Sequence, residues 1–321
     1  MKKFFSNGDG MVLVLALWIL SILSLFALAI GIGIRQKLVF VSRIERRDEI
    51  HYIAKAGVQA ARAVFLNLPD QDYPEETPLK KMFKHNNPDL FQKILFDENG
   101  SAEVFYYHND QGLDEPVVFY GLEDEGGKLN INFATIDELE RIFMLTAGVA
   151  FETARDLARA VVDWRTGADQ KITGFYGDDY YSGLNFPYEP KRQPYERLEE
   201  ILLVKGMNPD IFNLTKDFLT VFGSGMVNIN TAPRPVLLAL GMSPDVADIV
   251  IHGRNGPDQL PMTEDDYIFR GGGMRFLMDG FLPLKPEEQD QMDYLHAEQK
   301  LSVSSDIFRA RVKAVLTDTA E

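Results

Sequence analysis

Met11 to Ile34 contain no charged residue, and the first charge beyond them is Arg35. As a helix this stretch would run about 36 Å, enough to cross a hydrocarbon core of about 30 Å. Past Arg35 the apolar positions are Ile50, Ile53, Ala54, Gly57, Val58, Ala61, Val64, Phe65 and Leu68, and Pro69 comes next. Spacings of three and four put these on one face of a helix, which a proline then stops. The pattern predicts a single helix from Val12 to Leu68, the first half in lipid and the second half packed on a folded body. A cleaved secretory signal would have a shorter apolar run and a small-residue cleavage site, so the helix is read as a retained anchor.

The pattern then changes period. Lys93–Phe96 and Ala102–Tyr107 flank the turn signal Asp97-Glu98-Asn99-Gly100, and Val117–Leu122 runs into Glu123-Asp124-Glu125-Gly126-Gly127. Near the other end Phe308, Ala310, Val312 and Ala314 alternate with Arg309, Arg311 and Lys313. Period two with turn residues between the runs predicts short antiparallel strands. A long helix followed by such strands makes an α+β fold in which the last strand rejoins the first sheet. The region between 128 and 256 is then an insertion.

That insertion is helical in pattern and begins twice in the same way. Asn130-Ile131-Asn132-Phe133-Ala134 precedes Leu139, Ile142 and Phe143, and Asn228-Ile229-Asn230-Thr231-Ala232 precedes Val236, Leu237 and Leu240. Each is followed by a second helical run, ending at Trp164-Arg165 or Gly253-Arg254. A third hairpin is expected from Leu198 to Leu219, turning at Lys205-Gly206-Met207-Asn208-Pro209. Asparagine before such a run reads as a cap or a capping turn. The segments resemble helix-hairpin-helix, or SAM-like, repeats, many of which grip DNA phosphates through glycine-rich turns and nearby cations. Here Met144-Leu145-Thr146-Ala147-Gly148-Val149 and Leu240-Gly241-Met242-Ser243-Pro244 contain no basic residue. Residues 128–254 carry 17 acidic against 13 basic side chains. DNA is therefore not the expected partner.

Charge and composition narrow the rest. The 321-residue chain has a net charge of −15, which repels phosphate backbones, and no cysteine, which excludes disulfides and thiol chemistry. Its histidines at 51, 85, 108, 252 and 296 lack metal-ligand spacing. Nucleotide fingerprints and nucleophile elbows do not appear. Gly271-Gly272-Gly273 reads as a loop without strand or helix context. No catalytic residue is assigned, and the chain is read as a non-enzyme. Asp163, Asp169, Asp178 and Asp179 gather around one loop between helices. They read either as a solvated acidic loop or as oxygen ligands for calcium.

Lys and Arg flank the apolar helix on both sides, with Lys2 and Lys3 before it and Arg35, Lys37, Arg43, Arg46 and Arg47 after it. Counted alone, they would keep the carboxyl side in the cytoplasm. Yet a basic leader ending in Gly10, then a long apolar helix running into an amphipathic one, resembles the type IV pilins and type II secretion pseudopilins. The resemblance implies cleavage by a prepilin peptidase between Gly10 and Met11, methylation of the new amine, and an inner-membrane anchor with the body in the periplasm. Pilins usually carry Glu at the fifth mature position, where this chain has Leu15. A carboxylate in a bilayer costs about 2.5–3.5 kcal/mol on insertion scales, and the family retains it to meet the neighbour ahead. Its absence, with Pro194–Met207, Asn228–Ala232 and Ser305–Ala310, resembles the K-type minor pseudopilin of type II secretion, general secretion pathway protein K.

That family implies a pilin-like fold with a large inserted α-helical domain. On it the chain divides into a leader (1–10), the membrane half of the helix (11–34), the pilin-like helix and first strands (35–127), the insertion (128–256), and a loop with returning strands (257–321). The expected partners are other minor pseudopilins, the major pseudopilin, prepilin peptidase, and secreted cargo or the outer-membrane channel. The expected position is the tip of the pseudopilus, where a bulky insertion blocks further stacking. The family binds calcium in this part of the helical domain, though with more acids; Ala168 and Gly177 stand where it usually has two of them. A minor pilin of a type IV pilus and a membrane-anchored DNA-uptake protein are the alternative readings.

Overall fold

The structure is a computed structural model that describes residues 8–67, 85–96, 100–108, 117–167, 178–263, 266–269 and 284–316. Helix α1, Gly8–Asn67, is continuous over 60 residues. Near its start an 18-residue window has a mean hydropathy of 2.8 and no buried residue. It is long and apolar enough for a single-pass membrane anchor, and no protein covers its apolar side chains. Further along, Ile53, Gly57 and Ala61 are buried and Val64 and Phe65 half-buried. This contact stripe is narrower than the sequence predicts. Val58 is exposed because one residue turns the helix by about 100°, and Ile50 is exposed as well.

The stripe packs on a small antiparallel sheet. Strand β1 is Ile94–Leu95, β2 Gly100–His108, β3 Val117–Tyr120 and β10 Arg311–Leu316. β2 is central: β10 lies along one edge, and β1 and β3 pair successively along the other. The last strand therefore rejoins the first ones, as the alternation predicts. The turn between β1 and β2 falls on 97–99, outside the described residues. On β2, Ala102, Val104 and Tyr106 point inward while their neighbours are half-exposed. Outside, Lys313 pairs with Glu103 at 3.2 Å, and the Arg311 guanidinium sits 5.1 Å from the Tyr107 ring centre. Ala61, Phe91 of the short helix α2 (Pro88–Phe91), Val104 and Leu122 form the buried core of this body, with Phe65, Phe308 and Val312 against them.

Two runs that read as single strands are each divided. The Val117–Leu122 run breaks at Gly121, whose φ is +152° and whose missing Cβ would lie 2.0 Å from the His85 carbonyl oxygen. Only glycine fits there, because the backbone of His85 and Asn86 crosses at that point. The chain resumes as β4, Glu123–Asp124. The closing run likewise splits into β9, Phe308–Arg309, and β10; β9 pairs with β4 and β10 with β2. One alternation thus serves two sheets.

The second core is larger. Strand β5, Leu129–Asn130, leads to helices α3, Ile136–Ala147, and α4, Phe151–Arg165. Next come α5, Asp178–Ser182, a 3-10 turn at Leu198–Leu203, α6, Pro209–Thr215, and β6, Leu219–Thr220, which pairs in parallel with β5. The expected third hairpin thus opens on a 3-10 turn, held by Glu200 Oε1 accepting the backbone N–H of Glu196 and Arg197 at 2.9 Å each. Strand β7, Val227–Asn228, comes after it, with α7, Arg234–Ala239, and α8, Pro244–Arg254. The region after 256, expected as loop and returning strands, also supplies helix α9, Pro286–Ala297, and β8, Leu301–Ser302, parallel to β7. Met292, Leu295 and Leu301 join Leu139, Phe143, Trp164 and Leu237 in one core.

Candidate functional site

The described residues form no group of three or more acidic or histidine side chains able to hold a metal. The chemistry of the molecule lies in how two bodies are built and joined. The two Asn-Ile-Asn segments are the nodes of the helical body, and equivalent bonds hold them. Asn130 Oδ1 accepts from Asn132 N (2.9 Å), as Asn228 Oδ1 accepts from Asn230 N (3.1 Å). Asn132 Nδ2 donates to the carbonyls of Tyr195 and Val221 and its Oδ1 accepts from Tyr195 N. Asn230 Nδ2 donates to the carbonyls of Phe269 and Val303 and its Oδ1 accepts from Phe269 N.

Of the expected caps, Asn208 caps α6 by accepting from Ile211 N at 2.9 Å, whereas the Asn-Ile-Asn side chains form turns and do not cap α3 or α7. Thr135 caps α3 in a box with Glu138, and α7 starts without a side-chain cap. Asn130 and Asn228 fold the turns, and Asn132 and Asn230 tie them to distant backbone. An arginine from the end of α4 closes the first node and one from the end of α8 the second. Arg165 donates to the carbonyls of Ile131 and Ala134, and Arg254 to those of Ile229 (2.9 Å) and Ala232 (2.7 Å). The paired endings Trp164-Arg165 and Gly253-Arg254 in the sequence mark these clamps. Where the nodes meet, Arg141 Nε donates to Ala239 O at 2.8 Å, and Lys300 Nζ reaches Glu138 at 2.7 Å.

A second polar network joins the helical body to the sheet, and nothing in the sequence pattern singled it out. Asp124 accepts from Gly126 N (2.8 Å), Asn228 Nδ2 (2.9 Å), Thr231 Oγ1 (2.6 Å) and Ser305 Oγ (2.8 Å). Buried Glu125 takes Lys128 at 3.0 Å, Arg309 at 2.8 Å and the Thr220 hydroxyl at 2.6 Å. Lys128 also reaches Glu123 at 2.6 Å. Charges removed from water are tolerated when paired or well hydrogen-bonded: Glu125 meets Lys128 and Arg309, and Asp124 is held by four neutral donors. His85 lies beside it; burial, opposed by the charge of Asp124, brings its pKa down to about 4.

The residues singled out in the sequence are dispersed. Gly10 and Met11 fall in α1, with Met11 and Leu15 exposed on the apolar stretch. Asp163 is buried near the end of α4, and its Oδ1 meets Arg192 Nη1 at 3.0 Å. Its Oδ2 is buried with no hydrogen-bond partner among the described residues. Asp179 is exposed on α5. Asp169 and the side chain of Asp178 lie outside the described residues, as do the Gly271–Gly273 loop and the start of the leader. An acceptor oxygen buried without a donor suits a cation ligand; the Arg192 guanidinium already neutralises part of its charge. Beside it the Trp164 ring packs on Tyr181, centroids 5.5 Å apart, and burial pushes the Tyr181 hydroxyl up to about 12. Lys205, the basic residue of the third turn, sits 5.5 Å from the Tyr180 ring centre.

Residues 127–224 match the family model for type II secretion system (T2SS), protein K, which bears out the resemblance to the K-type pseudopilin drawn from the sequence. The matched stretch begins at the seam and takes in the first node, its arginine clamp and β6. A search of curated proteins returned no match. Among solved structures, the chain resembles one from the GspK-GspI-GspJ complex of the enterotoxigenic Escherichia coli type 2 secretion system. The TM-score is 0.54 at 17% identity, covering 86% of this chain and 89% of that one. At that identity the likeness is one of fold: a long amino-terminal helix, small antiparallel sheets and helices.

Proposed function

We propose that this chain, whose residues 127–224 carry the type II secretion protein K domain, is a minor pseudopilin standing at the tip of the secretion pseudopilus. The observation that carries this reading is the matched domain attached to a body on a 60-residue helix. An anchor of this kind, once cleaved after Gly10, holds the body on the periplasmic side of the inner membrane. Leu15 leaves the exposed apolar part of α1 without a carboxylate for a subunit ahead, which suits a first or last subunit and not a repeating one. The paired nodes are helix-hairpin-helix-like repeats used for shape, since their clamps commit both arginines to backbone carbonyls. No enzymatic role is assigned.

The partners are other minor pseudopilins, as in the complex that the fold resembles. Co-expression of the full chain with two minor pseudopilins from the same secretion operon, then purification in detergent, tests the proposal. A stable complex is expected, and the intact mass of this chain within it should begin at Met11. Full-length chain that purifies alone, with the leader retained, would overturn both the partner and the processing reading.

Calcium belongs to the same proposal. Asp163 would ligate it through Oδ2, with Asp169, Asp178 and Asp179 closing the loop; bound calcium would supply charge neutralisation and crosslink the loop to α4. Binding to the folded state raises its stability by mass action. Millimolar calcium should raise the melting temperature relative to chelator, and D163N should abolish that difference. Identical melting curves with calcium and with chelator would rule out the site.

A further inference from the structure

The two hydrophobic cores share no residue: one draws on 61–122 with support from 308–312, the other on 129–301. Between them run only two covalent connections, 123–128 and 303–309, which pair as the β4–β9 ribbon. A cleft opens at this junction, lined by His85 and Tyr106 from the sheet body and by Phe218 and Thr231 from the helical body. A two-stranded ribbon between independent cores is the geometry of a hinge. A polar network runs across it. Asp124 gathers donors from the turn after β4, from β7 and the node beyond it, and from the returning chain at Ser305. Glu125 adds bonds to β6 and β9.

We infer that Asp124, supported by Glu125, is a lock that fixes the helical body at one angle to the anchored sheet. Without it the ribbon is a flexible joint between two folded bodies. The reason is the geometry of a hub: three separate chain segments converge on one carboxylate, so its loss releases all three together. A hydrophobic seam would instead lose its contacts one at a time.

The chain has no cysteine, so V118C on the sheet and E152C on α4 place one spin label on each body of the full-length protein in detergent. Pulsed electron-spin distance measurements should give one narrow distribution for the parent. D124A should broaden it and shift its mean, and D124N, which retains one acceptor oxygen, should fall between the two. In a W18F background Trp164 emission reports the helical core by itself and should not change. A D124A distribution matching the parent, with Trp164 emission unchanged, would overturn the lock. Should D124A disturb that emission, S305A, which removes a single donor, decides by the same criterion: broadening supports the lock and an unchanged distribution refutes it.

Discussion

Replacing Arg254 by alanine should cost the helical body about 4 kcal/mol. Arg254 is 5% exposed and its guanidinium donates to two carbonyls, of Ile229 and Ala232. Each buried carbonyl left without a donor costs about 1–3 kcal/mol, and the lost packing of the aliphatic stem adds to that. For a body of this size a few kcal/mol lowers the melting temperature by roughly 10 °C. R254K should recover little, because an ammonium on a flexible stem cannot reproduce a planar fork. Thermal unfolding monitored by circular dichroism measures the effect. A shift of only a degree or two would mean that the second node does not depend on its clamp.

The contact between anchor helix and sheet should fail at Gly57. A Cβ there would lie 2.7 Å from Val312 Cγ1 and 2.8 Å from Ala102 Cβ. Both neighbours are short, stiff groups on paired strands, so neither can swing aside; the helix itself must lift. Alanine improves helix propensity by about 1 kcal/mol over glycine, while overpacking costs about 1–3 kcal/mol. G57A should therefore be mildly destabilising and G57L severely so, by about 3 kcal/mol. Hydrogen exchange across 53–65 is the measurement, with exchange in G57L approaching that of an undocked helix. A G57A protein more stable than the parent would show that propensity outweighs the close contact.

Both sites illustrate what a sequence pattern can and cannot contain. Gly57 stood in the apolar stripe at its proper spacing, so its burial was legible, yet its closeness to Val312 was not. Arg254 stood at a position matching Arg165, which marked it as part of a repeat without saying what it held. Asparagine before a helical run reads as a cap or capping turn, the local use of that side chain; Asn208 is used so, whereas Asn132 and Asn230 bond to carbonyls 39 to 89 residues away. The apolar run Val117–Leu122 and the alternating run Phe308–Ala314 both form strands, but where each divides is decided by the backbone crossing at His85 and by the pairing of β4 with β9.

By itself the sequence determined the elements whose signal is local. These are the apolar helix and its stripe, the alternating strands, the twin Asn-Ile-Asn openings and the family resemblance they support. Periodicity records which side of a segment is buried, because the same neighbours recur every few residues. Tertiary structure alone decided which side chains meet: the arginine clamps, the split strands, the place of α9 in the helical core, and the seam. Asp124 and Ser305 are 181 positions apart, and no local pattern encodes a hydrogen bond at that separation. Packing brings them together, and burial then requires the carboxylate to find its donors.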